Sequence, residues 1–321
     1  MNASRTHRFV AIAAVIVAVL CVAVPTGIGA TGAIGALTRE AAAARKREAA
    51  NVRVTVDAAT ASLLARPLDT THRLPVFAHR GFVRDGKLGN SFQSFSAARD
   101  AGCPQVELDI RTSRDGVFYI SHDATLINTA GINKRIDSMD SDELDQVTML
   151  DGERMHRLEE LFERYGTSMY YLVEFKENNA SVNAFYNLMA RYPKVVDHVE
   201  VHSFYGGVLK RLDRIMPNMF KQLLVGHGSA LTKHLHDDWL DSIAVAKHMA
   251  TDRNIARVHD AGKEIWSWTL ERPSNAREEL GAGVDGVISN IDPAGRITCD
   301  ARVWWPLGKV GSQPAGLAGS C

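Results

Sequence analysis

Short apolar segments recur along most of the chain, and they alternate with amphipathic segments of helical length. The apolar segments cover residues 76–78, 106–110, 117–121, 170–175, 197–202, 220–225, 242–246, 264–269 and 284–288. The amphipathic segments include residues 91–101, 157–165, 179–191, 205–213, 252–261 and 272–281. This alternation predicts parallel β-strands that are joined by helical crossovers.

One connection is too short for this pattern. Six residues, RTSRDG, join the segment 106–110 to the segment 117–121, whereas a parallel crossover needs about a dozen. These two strands are therefore expected to form a hairpin that turns at Asp115-Gly116 and brings His122 back to the rim. Eight strands remain without the returning one, which predicts an α/β fold of the TIM (β/α)8 barrel type with its active site at the carboxyl ends of the strands.

The two ends of the chain differ from this central part, which is expected to span residues 75–298. Residues 1–38 place two arginines before an uncharged stretch that runs from Phe9 to Thr38. That pattern indicates a signal peptide or a signal anchor, and it predicts a secreted enzyme or one on the extracellular face of the cell membrane. Residues 39–74 resemble a charged, Ala-rich linker, and residues 299–321 form a tail rich in Gly and Pro.

Composition excludes one class of partner and bears on the redox compartment. The 37 Lys and Arg balance 37 Asp and Glu, so no broad positive field is available for nucleic acid. A small anionic molecule bound by a local cluster is expected instead, with a membrane contact only through an uncleaved N-terminal segment.

The cysteines bear on the redox compartment. Outside the cytoplasm Cys299 and Cys321 are expected to pair, and two free thiols are the alternative. Cys103 is expected to be a small buried residue.

Charged residues cluster where the predicted strands end: His79, Arg80, Glu107, Asp109, His122, Glu174, Lys176 and His202. Residues two apart on a strand share a face, so Glu107, Asp109 and Glu174 are expected to meet inside the barrel. Three carboxylates that repel one another favour a bound cation, and oxygen donors favour Ca²⁺ or Mg²⁺, with Mn²⁺ a further candidate. A metal-free network with Arg80 and Lys176 is the alternative. His202 is equally compatible with a ligand and with a core histidine.

Two histidines and two positively charged side chains at the same end of the predicted barrel point to phosphate ester chemistry. One histidine would take a proton from the attacking hydroxyl or water, and the other would protonate the leaving oxygen. His79 and His122 are the candidates for these roles. Arg80 and Lys176 would hold the nonbridging phosphate oxygens.

The order of these motifs resembles the glycerophosphodiester phosphodiesterase family, a barrel related to phosphatidylinositol-specific phospholipases C. The matching motifs are His79-Arg80-Gly81, Glu107-Leu108-Asp109, His122-Asp123, Glu174-Phe175-Lys176, Ser203-Phe204, Trp268-Thr269 and residues 283–288. The resemblance extends from about residue 77 to residue 293. It implies hydrolysis to glycerol 3-phosphate and an alcohol, with His79 and His122 as the acid/base pair. It also implies that the acidic strands supply the metal ligands.

The resemblance adds candidates for substrate binding and contains one departure. Asn90, Phe204 and Trp268 are expected to bind or line the substrate site, and Trp266 to support it. The family usually has Glu-Asn-Thr where this chain has Gly89-Asn90-Ser91, so an acid is missing. Two alternatives follow: a phospholipase D-like enzyme acting on lysophospholipid or sphingomyelin, and a weakly active cell-surface protein that binds phosphate esters.

Overall fold

The computed structural model describes residues 30–83 and 88–290. Nine strands lie within them: β1 (Val76–His79), β2 (Gln105–Thr112), β3 (Phe118–Ile120), β4 (Tyr170–Phe175), β5 (Val199–Ser203), β6 (Phe220–Val225), β7 (Ser242–Ala246), β8 (Glu264–Leu270) and β9 (Gly286–Ser289). All nine strands that the sequence predicted are present. Three of them have the predicted ends, and the ends of the others differ by at most two residues from the predicted ones.

Eight of these strands close a parallel barrel. Each pairs in parallel with its neighbour from β1 through β2, β4, β5, β6, β7, β8 and β9, and β9 pairs back with β1. β3 instead pairs antiparallel with β2, with Ile110 opposite Ile120. Both the TIM barrel and the added hairpin are therefore confirmed.

The described helices include every helical segment that the sequence predicted. They are Ala30–Ala50, Ala58–Leu64, Phe92–Asp100, Ile127–Ala130, Ser141–Leu144, Leu158–Tyr165, Val182–Arg191, Gly206–Asp213, Gly228–His234, Asp252–Asp260 and Pro273–Ala282, with 3₁₀ turns at Ile136–Ser138, Gly166–Ser168, Pro193–His198 and Lys247–Met249. Gly228–His234 was not predicted. Its seven residues bury one hydrophobic side chain, Leu231, too few for a helical period to show.

The barrel interior changes in character along the strands. The part nearer the amino ends of the strands holds a small apolar cluster that includes Phe77, Leu172 and Trp266. Side chains two residues further along a strand point to the same interior, and there the residues are polar, as at Glu174. Trp266 is fully buried against Phe77, with ring centroids 5.4 Å apart. It therefore belongs to the barrel core, and its role in supporting the substrate site stays a prediction.

Arg73 closes the amino end of the barrel. Its guanidinium contacts Glu200 at 2.6 Å and Glu264 at 2.8 Å. The same group lies 4.6 Å from the Trp266 ring centroid and 4.8 Å from that of Phe220. One cation thus bridges two carboxylates between aromatic faces, while Arg73 Nε and Glu200 Oε1 have no hydrogen-bond partner among the described residues.

The residues before the barrel are more closely attached than a linker would be. The described residues from Ala44 onward form one compact unit, and those before Ala44 belong to another. Within the larger unit Arg47 donates to the Ser113 carbonyl at 3.1 Å, and Leu64 is buried. The sequence placed the start of the folded part near Pro75 because residues 39–50 have no apolar stripe. Within residues 44–50, Arg47 and Lys46 make polar contacts with Ser113 and Asp115.

Several predictions fall on parts of the chain that are not described. Most of the proposed signal segment 1–38 and the tail 299–321, with the predicted pairing of Cys299 and Cys321, lie outside the described residues. Within residues 30–83 and 88–290, no helix is long and apolar enough to span a bilayer. Cys103 is buried, as expected, but it is disulfide-bonded. Four cysteines allow three connectivities, so its pairing was not readable from the sequence.

Candidate active site

The turn after β1 shapes the first part of the site. Arg80 and Gly81 both adopt left-handed backbone conformations, with φ of 55° and 80°. A Cβ atom at Gly81 would lie 2.6 Å from Ser94 Oγ and 2.7 Å from the Ser94 carbonyl carbon. Glycine is therefore required at position 81 for both space and conformation. This tight turn holds His79 at the carboxyl end of β1, facing the neighbouring β2.

His79 is oriented by a residue that is distant in the sequence but follows β9, the strand that pairs with β1. Its Nδ1 lies 2.7 Å from Asn290 Oδ1, and its Nε2 lies 3.9 Å from Glu107 Oε2. Because an amide oxygen can only accept, Nδ1 carries a proton in this arrangement and Nε2 of the neutral ring is left for proton exchange. Asn290 was not among the predicted site residues. It follows β9, which reaches His79 only because the barrel closes.

His122 is oriented by its sequence neighbour. Nδ1 of His122 lies 2.7 Å from Asp123 Oδ1, and Asn128 donates to Asp123 Oδ2 at 2.7 Å. The hydrogen bonds from Asn128 and His122 lower the pKa of Asp123. A carboxylate held in this way fixes the ring orientation and stabilises a protonated imidazole. His122 is more than a third exposed, so a substrate could reach it.

Asp109 lies among cations and an amide. Lys176 Nζ is 3.3 Å from Asp109 Oδ1, and Arg80 Nε is 3.2 Å from Asp109 Oδ2. Asn90, at φ 62°, donates to Asp109 Oδ2 at 2.8 Å and accepts from the Asp109 backbone N–H at 3.1 Å. Burial alone would raise the pKa of Asp109, but Lys176 and Arg80 lower it to about 2. Asp109 is thus a carboxylate neutralised within the protein, and its role as a metal ligand stays a prediction.

A second group of buried donors includes Glu107, Glu174 and His202. One potential ligand atom from each lies within 4.8 Å of the others. Glu107 accepts from the Arg80 backbone N–H at 3.0 Å, and its Oε1 is 3.4 Å from His202 Nε2. Burial raises the pKa of Glu174 to about 7, and Lys176 contacts it at 2.8 Å. Two of the three predicted carboxylates therefore lie in a group that could hold a cation, together with a histidine.

Gly89, at the position of the missing acid, is packed against Arg80. A Cβ atom on Gly89 would lie 2.9 Å from Arg80 Cβ and 3.2 Å from a Val83 methyl group. The Arg80 side chain therefore covers Gly89 on its way to Asp109. A larger residue at position 89 would have to displace it.

The predicted aromatic residues meet at the rim of the barrel. Phe204 and Trp268 form an edge contact with ring centroids 5.3 Å apart. Trp268 Nε1 donates to the Ala244 carbonyl at 2.9 Å, and half of Phe204 is exposed. Phe204 also lines a cavity of about 500 Å³ with Tyr205, Lys210 and Trp239. The pair thus lies between the barrel mouth and an open surface cavity.

A closed α/β barrel with two oriented histidines and buried carboxylates at its carboxyl end defines a TIM-barrel enzyme of the phosphoric diester hydrolase class. Residues 79–291 match the Glycerophosphoryl diester phosphodiesterase family. The chain belongs to this family and is an enzyme, as the order of its motifs predicted.

Individual relatives share part of the sequence or the fold. A "Probable glycerophosphodiester phosphodiesterase 2" of Mycobacterium tuberculosis is 27% identical over 247 residues, which are 71% of this chain and 91% of the relative. The human "Lysophospholipase D GDPD3" is 30% identical over 146 residues, 41% of this chain and 45% of that protein. An Oleispira antarctica phosphodiesterase, solved with the product sn-glycerol-3-phosphate, shares the fold with a TM-score of 0.62 and 21% identity, over 73% of this chain and 97% of that one.

Proposed function

We propose that this enzyme hydrolyses glycerophosphodiesters to glycerol 3-phosphate and an alcohol in a metal-dependent reaction, with His79 and His122 as the acid/base pair. The carrying observation is the placement of both histidines at strand ends, each with Nδ1 fixed by an oxygen. That arrangement leaves Nε2 of each ring for proton transfer. Membership of the family supports the substrate class.

The two cations beside Asp109 are the proposed phosphate contacts. Lys176 and Arg80 are both partly accessible, with 12% and 31% of their side chains exposed. A phosphodiester that enters the barrel mouth would accept hydrogen bonds from both through its nonbridging oxygens. Asn90 would then keep Asp109 in place by its two hydrogen bonds. Phe204 and Trp268 are the proposed contacts for the rest of the substrate.

A divalent cation is proposed at the buried carboxylates. Glu107 and Glu174 would hold it, and Asp109, the third predicted ligand, lies on the same strand as Glu107. The bound ion would polarise a phosphoryl oxygen and offset the charge that develops there. Ca²⁺ or Mg²⁺ is the expectation from the carboxylates alone.

The test is the release of glycerol 3-phosphate from glycerophosphocholine and glycerophosphoethanolamine by the full chain, with Ca²⁺, with Mg²⁺ and with EDTA. We expect EDTA to abolish release and a divalent ion to restore it.

His79→Gln and His122→Gln should each lower kcat by about 10²- to 10⁴-fold, because general acid/base catalysis contributes that much. His227→Gln is the matched control, since this histidine contacts the Ser229 hydroxyl away from the cluster. Wild-type turnover in either site variant would refute the acid/base pair. Metal binding without release would leave a binding role.

A lysophospholipid is the second candidate substrate. Two observations favour it: the similarity to the human protein named lysophospholipase D and the exposed aromatic side chains of Phe204 and Tyr205 beside the cavity. Lysophosphatidylcholine and sphingomyelin should therefore be assayed beside the glycerophosphodiesters. Phosphorus NMR of the products separates hydrolysis from transfer to an internal hydroxyl, because the latter gives a cyclic phosphate. Phe204→Ala should affect the lipid substrate more if this candidate is correct.

We also propose that the enzyme acts outside the cytoplasm, secreted or on the extracellular face of the membrane. The proposal rests on the arginines and the long uncharged stretch of residues 1–38. Fractionation of cells and sequencing of the mature N terminus test it. Removal of the segment from a secreted product supports a signal peptide, retention in the membrane supports an anchor, and a cytoplasmic enzyme with an intact N terminus rules out both.

A further inference from the structure

The geometry points to His202 as a nitrogen ligand of the proposed metal site, so that the site prefers a transition metal such as Mn²⁺, Co²⁺ or Zn²⁺ to Ca²⁺ or Mg²⁺. This inference rests on the proposed metal dependence and deepens it. It concerns a residue that the sequence left undecided between a ligand and a core histidine.

The first observation is that His202 is buried without being satisfied. Its exposed fraction is 1%, and within the described part of the chain neither ring nitrogen has a hydrogen-bond partner. Burying a polar group without a partner costs about 1–3 kcal/mol, so proteins usually avoid it. A metal ion would supply the missing partner for one of these nitrogens.

The second observation is where the ring lies. His202 Nε2 is 3.4 Å from Glu107 Oε1, and ligand atoms of Glu107, Glu174 and His202 lie within 4.8 Å of one another. On the sheet, His202 is directly beside Glu174 of the neighbouring strand β4. Each of the three residues is at least nine-tenths buried. Such a spacing allows one ion to contact all three side chains.

The neighbouring strand offers an acceptor for the second ring nitrogen. Gln222 of β6 stands beside His202 in register, and Gln222 Nε2 donates to Ser242 Oγ at 3.1 Å. Gln222 Oε1 is buried, and among the described residues it has no hydrogen-bond partner. A histidine that binds a metal through one nitrogen usually donates its other N–H to such an oxygen, which fixes the tautomer. Gln222 is therefore the proposed positioning residue for His202.

The mixed donor set decides which ions fit. Ca²⁺ and Mg²⁺ take oxygen ligands, whereas imidazole suits Zn²⁺ and its neighbours in the first transition row. Two carboxylates and one imidazole match the second group. For such a site the affinity is expected to rise from Mn²⁺ through Co²⁺, with Zn²⁺ also above Mn²⁺.

The experiment measures metal binding rather than turnover. Metal-free full-length protein is titrated with Mn²⁺, followed by electron paramagnetic resonance, and the bound ion is examined for nitrogen modulation of its electron spin echo. We expect the wild type to show coupling to one histidine nitrogen. His202→Gln should lose that coupling and bind Mn²⁺ at least about tenfold more weakly. The competing Ca²⁺ should bind both proteins with similar, weak affinity.

The matched control is His198, at the opposite end of the same strand region. His198 contacts Asp197 at 2.8 Å and stacks on Tyr170, so His198→Gln should retain both the nitrogen coupling and the Mn²⁺ affinity. A second variant, His202→Leu, separates a ligand from a structural role. Without metal it should melt at or above the wild-type temperature, because it removes an unsatisfied polar group, and Mn²⁺ should no longer raise its Tm.

The outcomes separate this inference from the proposed function. Bound Mn²⁺ without nitrogen coupling in the wild type, or a His202→Gln protein with unchanged Mn²⁺ affinity, would overturn the role of His202 even if glycerol 3-phosphate is released. A metal-free His202→Leu protein that is much less stable than the wild type would likewise assign His202 a structural role. Nitrogen coupling in a protein that releases no glycerol 3-phosphate would support the ligand and count against the proposed reaction.

Discussion

Strand β5 carries a buried ionisable side chain toward each end of the barrel, and the two have different surroundings. Glu200 and His202 are two residues apart and therefore share the interior face. Glu200, nearer the amino end, is bonded to Arg73 at 2.6 Å. His202, nearer the carboxyl end, has no hydrogen-bond partner among the residues described.

The difference shows how the barrel divides stability from function. At the amino end a single guanidinium bridges two carboxylates and stacks on an aromatic ring, so each carboxylate there has a cation of the protein as its partner. At the carboxyl end, three carboxylates face Lys176 and Arg80, and both cations lie closest to Asp109 or Glu174. Glu107 instead contacts the backbone N–H of Arg80 and the ring of His202. Polar groups that a protein could satisfy but does not are typical of binding sites.

The largest expected effect is the loss of stability when the ion pairs at the amino end of the barrel are disrupted. Arg73→Met leaves Glu200 and Glu264 without their shared cation, and removing one partner of a buried ion pair costs about 3–5 kcal/mol. We expect the free energy of unfolding from urea titration to fall by that amount at neutral pH. Metal ions should not restore it, because no donor group of the proposed site is involved.

Arg66→Met is the matched control for this loss. Arg66 pairs with Asp197 at 3.2 Å, but half of its side chain is exposed, so its loss should cost less than about 1 kcal/mol. Equal losses in the two variants would show that the amino-end network is not specially stabilising, and the comparison between the two ends would then fail.

The second prediction concerns the cation at the carboxyl end. Lys176→Met removes a group that is 2.8 Å from Glu174 and 3.3 Å from Asp109. Arg80 and Asn90 still contact Asp109, so the metal-free protein should lose about 2–3 kcal/mol, less than a fully broken buried pair. In contrast to Arg73→Met, added divalent metal should restore part of this stability, because an ion replaces the lost positive charge.

The measurement for Lys176→Met is urea unfolding with and without the metal that supports activity. Turnover should stay low even with metal, since the proposed phosphate contact is gone. A loss that metal does not reduce would mean that the carboxyl end is neutralised by the protein alone. That result would remove the contrast between the two ends.

The third prediction tests the packing of Arg80 on Gly89. Gly89→Ala places a methyl group 2.9 Å from Arg80 Cβ, and such overpacking costs about 1–3 kcal/mol, here at the lower end because Arg80 is partly exposed. The displaced guanidinium should also bind substrate less well, so KM should rise more than kcat falls. Gly228→Ala is the matched control, because a Cβ atom at Gly228 would meet no other atom within 4 Å. Gly262 is unsuitable as a control because its φ is positive. Unchanged stability and KM in Gly89→Ala would show that Arg80 is not constrained there.

Much of this architecture could be predicted from the sequence because the barrel strands are buried on both faces. All six residues of β4, for example, are buried, and apart from Glu174 all of them are apolar or aromatic. The charged strand ends then predicted His79, Asp109 and Lys176 as neighbours, since parallel strands bring their carboxyl ends together. Local patterns of composition were sufficient for this step.

The remaining features depend on which strands meet when the barrel closes. The contact of Asn290 with His79 joins residues 211 positions apart. His202 could not be assigned because a lone histidine on an apolar strand is equally compatible with core and ligand roles. Only its position beside Glu174 and Glu107, with no hydrogen-bond partner in residues 30–83 and 88–290, distinguishes the two. Residues 44–74 are attached by polar contacts such as that of Arg47 with Ser113 and by scattered apolar side chains such as Leu64, which are too widely spaced to show a hydrophobic period.

The smallest expected effect concerns His156, a histidine whose two ring nitrogens both have carboxylate partners, in contrast to His202. His156 contacts Glu160 at 2.8 Å and Glu153 at 3.4 Å, and its ring stacks on Phe92 at 3.7 Å. Burial lowers the pKa of His156, but the hydrogen bonds that its ring donates to the two glutamates outweigh burial and raise the pKa above 6.5. The protonated ring therefore stabilises the fold below pH 6.5, and this contribution is lost as the pH rises through the folded-state pKa.

We expect His156→Gln to lower the free energy of unfolding by about 1 kcal/mol near pH 6, and the difference from wild type to shrink toward pH 8.5, because hydrogen bonds to charged groups contribute more than neutral ones. Urea midpoints measured across this range test the sign. His259→Gln, at an exposed pair with Asp285, should show a smaller difference in the free energy of unfolding. A His156→Gln difference that grows with pH would mean that this ring is neutral in the fold.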